Sequence, residues 1–179
     1  MNYDAVLDFW FSEIDQRQWW VKDPGFDREI CERFGVLHTS AALCELYEWR
    51  ASPQGRLAEV IVLDQFSRNI YRDQAEAFAF DGQALCLAQA AVAAEADKGL
   101  SAIENSFLYM PYMHSESPYI HEEAVTLYTH NGIENNLKFE LKHKAIIDRF
   151  GRYPHRNDIL GRSSTAEEVA FLQEPGSSF

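Results

Sequence analysis

Leu57-Ala58-Glu59-Val60-Ile61-Val62-Leu63-Asp64-Gln65-Phe66-Ser67-Arg68-Asn69-Ile70-Tyr71 reads as a helix that is apolar almost all round. Val60, Ile61, Val62, Leu63, Phe66 and Ile70 leave it little polar face, and a helix of that kind sits at the centre of a fold. A central helix needs others around it. Upstream, Asp4 can cap a short helix carrying Val6, Leu7, Phe9, Trp10 and Phe11, and residues 16–20 form a second short aromatic piece. Residues 26–49 read as one long helix or two joined near Gly35, with a break at Ser52-Pro53-Gln54-Gly55.

Downstream, an alanine-rich helix covers 75–96, and Ser101 with Glu104 makes a capping box for a helix through Met110 that Pro111 interrupts. Pro118 restarts a helix to about residue 130. Another covers 136–150 and stops at Gly151, and residues 155–160 make one short turn. Ser164 with Glu167, or Thr165 with Glu168, caps a last helix through Leu172, before a loop-like tail over 175–179. No strand-length alternating segment stands out. The expected fold is all-α: one domain over residues 1–179, with about eight or nine helices in antiparallel hairpins.

Two stretches concentrate polar groups. On the central helix Leu57, Ile61, Asp64, Arg68 and Tyr71 share one stripe, so Asp64 and Arg68 point into the core, where a carboxylate must be paired. Residues 149–157, Arg-Phe-Gly-Arg-Tyr-Pro-His-Arg-Asn, place three arginines on a bend broken by Gly151 and Pro154. Such a bend calls for carboxylates or a bound anion. Both stretches are expected to meet in one polar centre with the loop His114-Ser115-Glu116, Asp64 and Glu116 being the partners expected for Arg156.

The formal charge of −12 argues against non-specific nucleic-acid or anionic-membrane binding. It is uneven: residues 142–162 hold six basic against two acidic residues, a local +4, so the remainder carries −16. That asymmetry fits either internal neutralisation on acidic helices or an anion site. Cys31, Cys44 and Cys86 are widely spaced and expected to be reduced core thiols. Residues 1–4 lack the basic start of a signal peptide, and no apolar run has membrane length, so a cytoplasmic location is expected. His121 and His143 each stand alone on an apolar face and read as core histidines. A metal site from His114, Glu116, His121 and His143 would lack ligand spacing, and no phosphate loop or nucleophile elbow appears. No metal and no cofactor are expected.

Residues 6–11 (Val-Leu-Asp-Phe-Trp-Phe), 63–69 (Leu-Asp-Gln-Phe-Ser-Arg-Asn), 109–116 (Tyr-Met-Pro-Tyr-Met-His-Ser-Glu), 149–157 and 160–165 (Leu-Gly-Arg-Ser-Ser-Thr) together resemble the family called domain of unknown function 924, over nearly the whole chain. The resemblance implies an all-helical, tetratricopeptide-repeat-like fold and carries no established activity. Its motif positions fall on Asp64, Arg68, Asn69, His114, Ser115, Glu116, Arg149, Arg152, His155, Arg156 and Asn157. The family pattern has Gln where His121 stands and Arg near Asn105, so a role for His121 is particular to this chain. The functional expectation is a helical binding protein whose pocket, built by Arg68, Arg152, Arg156, His114 and Glu116, takes an anionic small molecule or an acidic peptide end. The alternatives are an enzyme with hydrolase-like chemistry, using His114 or His155 as acid/base with Glu116 as a further candidate, and a purely structural polar network. The sequence leaves the oligomeric state open.

Overall fold

Phe66 is where the core converges. Its ring lies 4.9 Å from Phe34, 5.6 Å from Trp10 and 6.1 Å from Phe9, so one residue of the central helix ties together the two helices before it. The computed structural model describes residues 2–178, and every regular element in them is helical. Met1 and Phe179, the ends of the N-terminal and tail readings, lie outside the described residues.

Helix α1 (Asp4–Asp8) runs on through a π turn (Phe9–Glu13). Asp4 does not cap it: Tyr3 holds the cap position with no side-chain bond, and the Asp4 carboxylate takes the Asn2 amide instead. The short aromatic piece is a 3₁₀ helix (Gln16–Trp20) capped by Asp15. Helix α2 (Pro24–Ala42) ends seven residues before Trp49, because the chain turns at Cys44 with φ +60° and continues as a 3₁₀ turn (Tyr47–Ala51).

Helix α3 (Pro53–Ile61) starts inside the tetrapeptide read as a break: Ser52 Oγ caps Gly55 N at 3.0 Å and Pro53 opens the first turn. Gly55 is needed there, since a Cβ would stand 2.0 Å from the Trp49 carbonyl oxygen. The axis continues through a π turn (Val62–Phe66) and one further α turn (Ser67–Ile70). Every residue from 57 to 67 is buried, which confirms the central position.

The alanine-rich segment divides into a 3₁₀ turn (Ala75–Phe78) and α4 (Asp81–Ala93). Helices α5 (Ala102–Leu108) and α6 (Met110–Met113) follow, the first with the Ser101–Glu104 capping box in place. Helices α7 (Pro118–Asn131) and α8 (Glu134–Phe150) pack on each other as a hairpin, and left-handed Gly132 and Gly151 end them. A 3₁₀ turn (Pro154–Arg156) and α9 (Ala166–Phe171) complete the chain.

Of the two capping boxes open to α9, Thr165 with Glu168 forms, because Glu168 is also clamped by Arg152. Thr165→Ala should cost about 1 kcal/mol and raise amide exchange across α9, a prediction for hydrogen-exchange measurements. Unchanged exchange there would refute it. The three cysteines are free but exposed, not core thiols as expected. No described helix is long and apolar enough to cross a membrane.

Candidate functional site

Asp64 lies on the π turn of α3 with no solvent exposure. Its Oδ1 faces His114 Nδ1 at 2.7 Å and Arg68 Nη1 at 3.2 Å, while Oδ2 accepts from Gln65 Nε2 at 2.6 Å. Burial opposes its ionisation, but the Arg68 charge and the hydrogen bonds from His114 and Gln65 outweigh that and hold Asp64 well below the ordinary carboxylate range. His114 moves down as well, through burial first and the Arg68 charge second, against the pull of Asp64. At neutral pH the pair is therefore a carboxylate and a neutral imidazole. The carboxylate can only accept, so Nδ1 carries the proton and Nε2 keeps its lone pair.

Arg68 extends past Asp64. It grips Asp81 with two bonds of 2.9 and 3.1 Å and donates to the Asp64 carbonyl at 2.9 Å. The bend comes back over the same carboxylate: Arg156 Nη1 reaches Asp81 Oδ2 at 3.3 Å, and Nη2 donates to the His114 carbonyl at 3.1 Å. The Arg156 guanidinium lies between the rings of Phe78 and Tyr153, at 4.6 and 4.5 Å. Glu116 anchors the bend from the other side. It accepts Tyr153 N at 2.7 Å and both ends of the Arg162 fork at 2.5 and 2.8 Å.

A surface cleft of about 350 Å³ opens on this cluster. Phe78, Asp81, Gly82, His114, Glu116 and Arg156 form part of its wall, and Leu85, Pro111 and Leu160 add apolar surface. Behind it lies a closed network. His121 faces Glu140 at 2.6 Å through Nδ1 and donates from Nε2 to the Ser115 carbonyl at 2.9 Å. His121 and Glu140 are both fully buried, and burial pushes the Glu140 carboxyl up. The expectation of a core histidine thus holds at His121. At His143 it holds too, with Nδ1 donating to the Phe139 carbonyl at 2.8 Å.

The structure brings together Asp64, Arg68, His114, Ser115, Glu116 and Arg156, and distributes the other candidates elsewhere. Asn69 donates to Asp27, which also holds Arg72. Arg149 pairs with Glu167 and Arg152 with Glu168, so the expected role of Arg152 in building the pocket is corrected: a nearby acidic helix, α9, takes it. Asn157 braces the bend, accepting from Arg162 and donating to Ser164, and the His155 ring lies 5.5 Å from Tyr153. The carboxylate bonded to Arg156 is Asp81, not Asp64 or Glu116. Sequence reasoning passed over Asp81, Phe78 and Arg162. Only Arg162 carried a signal, as a member of the basic segment and of the stretch 160–165.

Comparison with known proteins agrees with the resemblance drawn from the motifs. A solved protein of unknown function, ATU0120 from Agrobacterium tumefaciens, is 34% identical and superimposes with a TM-score of 0.91 over 96% of each chain. No curated protein matches. The family profile described as "Bacterial protein of unknown function (DUF924)" matches residues 6–176, and the chain belongs to that family.

Proposed function

We propose that the cleft is a small-molecule site in which the Asp64–His114 pair exchanges a proton with an anionic ligand held near Arg156. One observation carries this reading. His121, a structural histidine, has partners on both ring nitrogens, whereas His114 is fixed through Nδ1 alone and its Nε2 has no hydrogen bond among the described residues. An imidazole oriented by a carboxylate, with a basic nitrogen left over at a cleft, is the arrangement of a general base. The cleft volume falls at the lower end of the range for small-ligand sites. The tetratricopeptide-like resemblance points the same way by analogy, since such hairpins hold acidic peptide ends in grooves.

A second reading, binding without turnover, is favoured by one feature: among the described residues no serine, threonine or cysteine is hydrogen-bonded to His114, so a reaction would have to use water. A panel of small organic acids and their esters separates the two. Ligands raise the melting temperature by mass action in either case. Turnover, with a loss of about 10²-fold in His114→Asn, supports the acid/base role. Asparagine keeps a donor for Asp64, so the fold is preserved. No stabilising ligand and no turnover would refute both readings.

A further inference from the structure

We infer that the cleft takes a monoanionic carboxylate on an apolar body, its carboxylate seated at the N-terminus of α4 beside Gly82 and against Arg156. This rests on the reading of the cleft as a small-molecule site and names the ligand chemistry.

Helix α4 has thirteen residues, and among the described residues no side chain caps its start. The first N–H groups of a helix lack partners within it, and together with the helix dipole they present about half a positive charge. Gly82 stands in this first turn and forms part of the cleft wall. A Cβ built on Gly82 meets nothing within 4 Å, so a ligand can come up against the bare backbone.

Arg156 is the second, independent observation. It is only 6% exposed, yet it lines the same cleft. Its buried Nε has no hydrogen-bond partner among the described residues. Its one bonded carboxylate, Asp81, is held more closely by Arg68, at 2.9 and 3.1 Å against 3.3 Å. One carboxylate thus serves two guanidinium groups. Burial, and then the neighbouring Arg68 charge, pull Arg156 below its ordinary range.

The charge balance selects the ligand class. Arg68, Arg156 and Arg162 offset Asp64, Asp81 and Glu116, with which they pair. What remains is the helix terminus, about half a unit of positive charge. That suits one negative charge and is too little for a phosphate dianion. Phe78, Ala79, Leu85 and Leu160 leave apolar wall for the rest of the molecule.

The test is a titration of ¹⁵N-labelled protein with phenylacetate, read at the Gly82 amide, beside the neutral phenylacetamide and inorganic phosphate. The expected result is a saturable Gly82 shift with phenylacetate, at least about tenfold tighter than with either comparison compound. Gly82→Val, whose side chain has room to form, should weaken binding about tenfold by covering the helix end, and Arg156→Gln should do the same. The proposal is overturned if Gly82 does not move at about 10 mM phenylacetate, where weak small-molecule binding would register. Tighter binding of phosphate, or full affinity in Gly82→Val, also overturns it. In the same sample, a His114 ring protonated at Nε2 instead of Nδ1 would sink the acid/base role alone, while the Gly82 shift would still support the carboxylate subsite.

Discussion

Replacing Asp64 with alanine lowers stability by about 3–5 kcal/mol, the range for removing one partner of a buried ion pair. Asp64 has no exposure and faces three side chains: His114, Arg68 and Gln65. Its loss leaves Asp81 as the carboxylate on Arg68 and removes the acceptor of the His114 Nδ1–H. Both penalties fall on side chains that are mostly buried, so they exceed the 0–1 kcal/mol of an exposed pair. Asp64→Asn keeps the volume and one acceptor oxygen, and should cost less than alanine. Urea unfolding at neutral pH measures both. A change below about 1 kcal/mol for Asp64→Ala would show that the polar centre does not hold the helices together.

Between neutral pH and pH 5 the protein should lose about 4 kcal/mol through the buried His143 and the partly buried His155. Burial lowers His143 to about 3, and burial with the Arg156 charge lowers His155 to about 4. In the unfolded chain both titrate near 6.5. A depressed folded value means that the unfolded chain binds the proton first. The stability these residues confer is therefore complete above about pH 6.5 and is lost as pH falls toward their folded values. Each unit below 6.5 costs about 1.4 kcal/mol per histidine, so at pH 5 each contributes about 2 kcal/mol of loss. His38 and His114 are also lowered and act in the same direction. Glu140, raised by burial, has the opposite sign: its contribution appears as pH falls through its folded value, and it offsets part of the histidine loss. Urea midpoints at pH 7 and pH 5 test this, and His143→Phe should remove about 2 kcal/mol of the difference. Equal stability at the two pH values would contradict the depressed protonation of both rings in the folded chain.

The helices and several of their ends are legible in the amino-acid sequence, because those signals act within a few residues. Ser101 with Glu104, Gly132, Gly151 and the Pro118 start all behave as read. The central helix is legible too, read over 57–71 and found over 53–70, as is the need of Asp64 and Arg68 for partners there. Asp64 does not owe its burial to one stripe, since residues 57–67 are buried on every face. What tertiary structure alone decided is the pairing. Asp81 starts an alanine-rich helix thirteen residues past Arg68, and nothing local marks it as the carboxylate shared by Arg68 and Arg156. Arg149 and Arg152 looked equivalent to Arg156 on the bend, but α9 brings Glu167 and Glu168 to them and leaves Arg156 at the cleft. Ion pairs form between whichever charges the packing of distant helices brings within a few ångströms, and a one-dimensional pattern does not carry that distance.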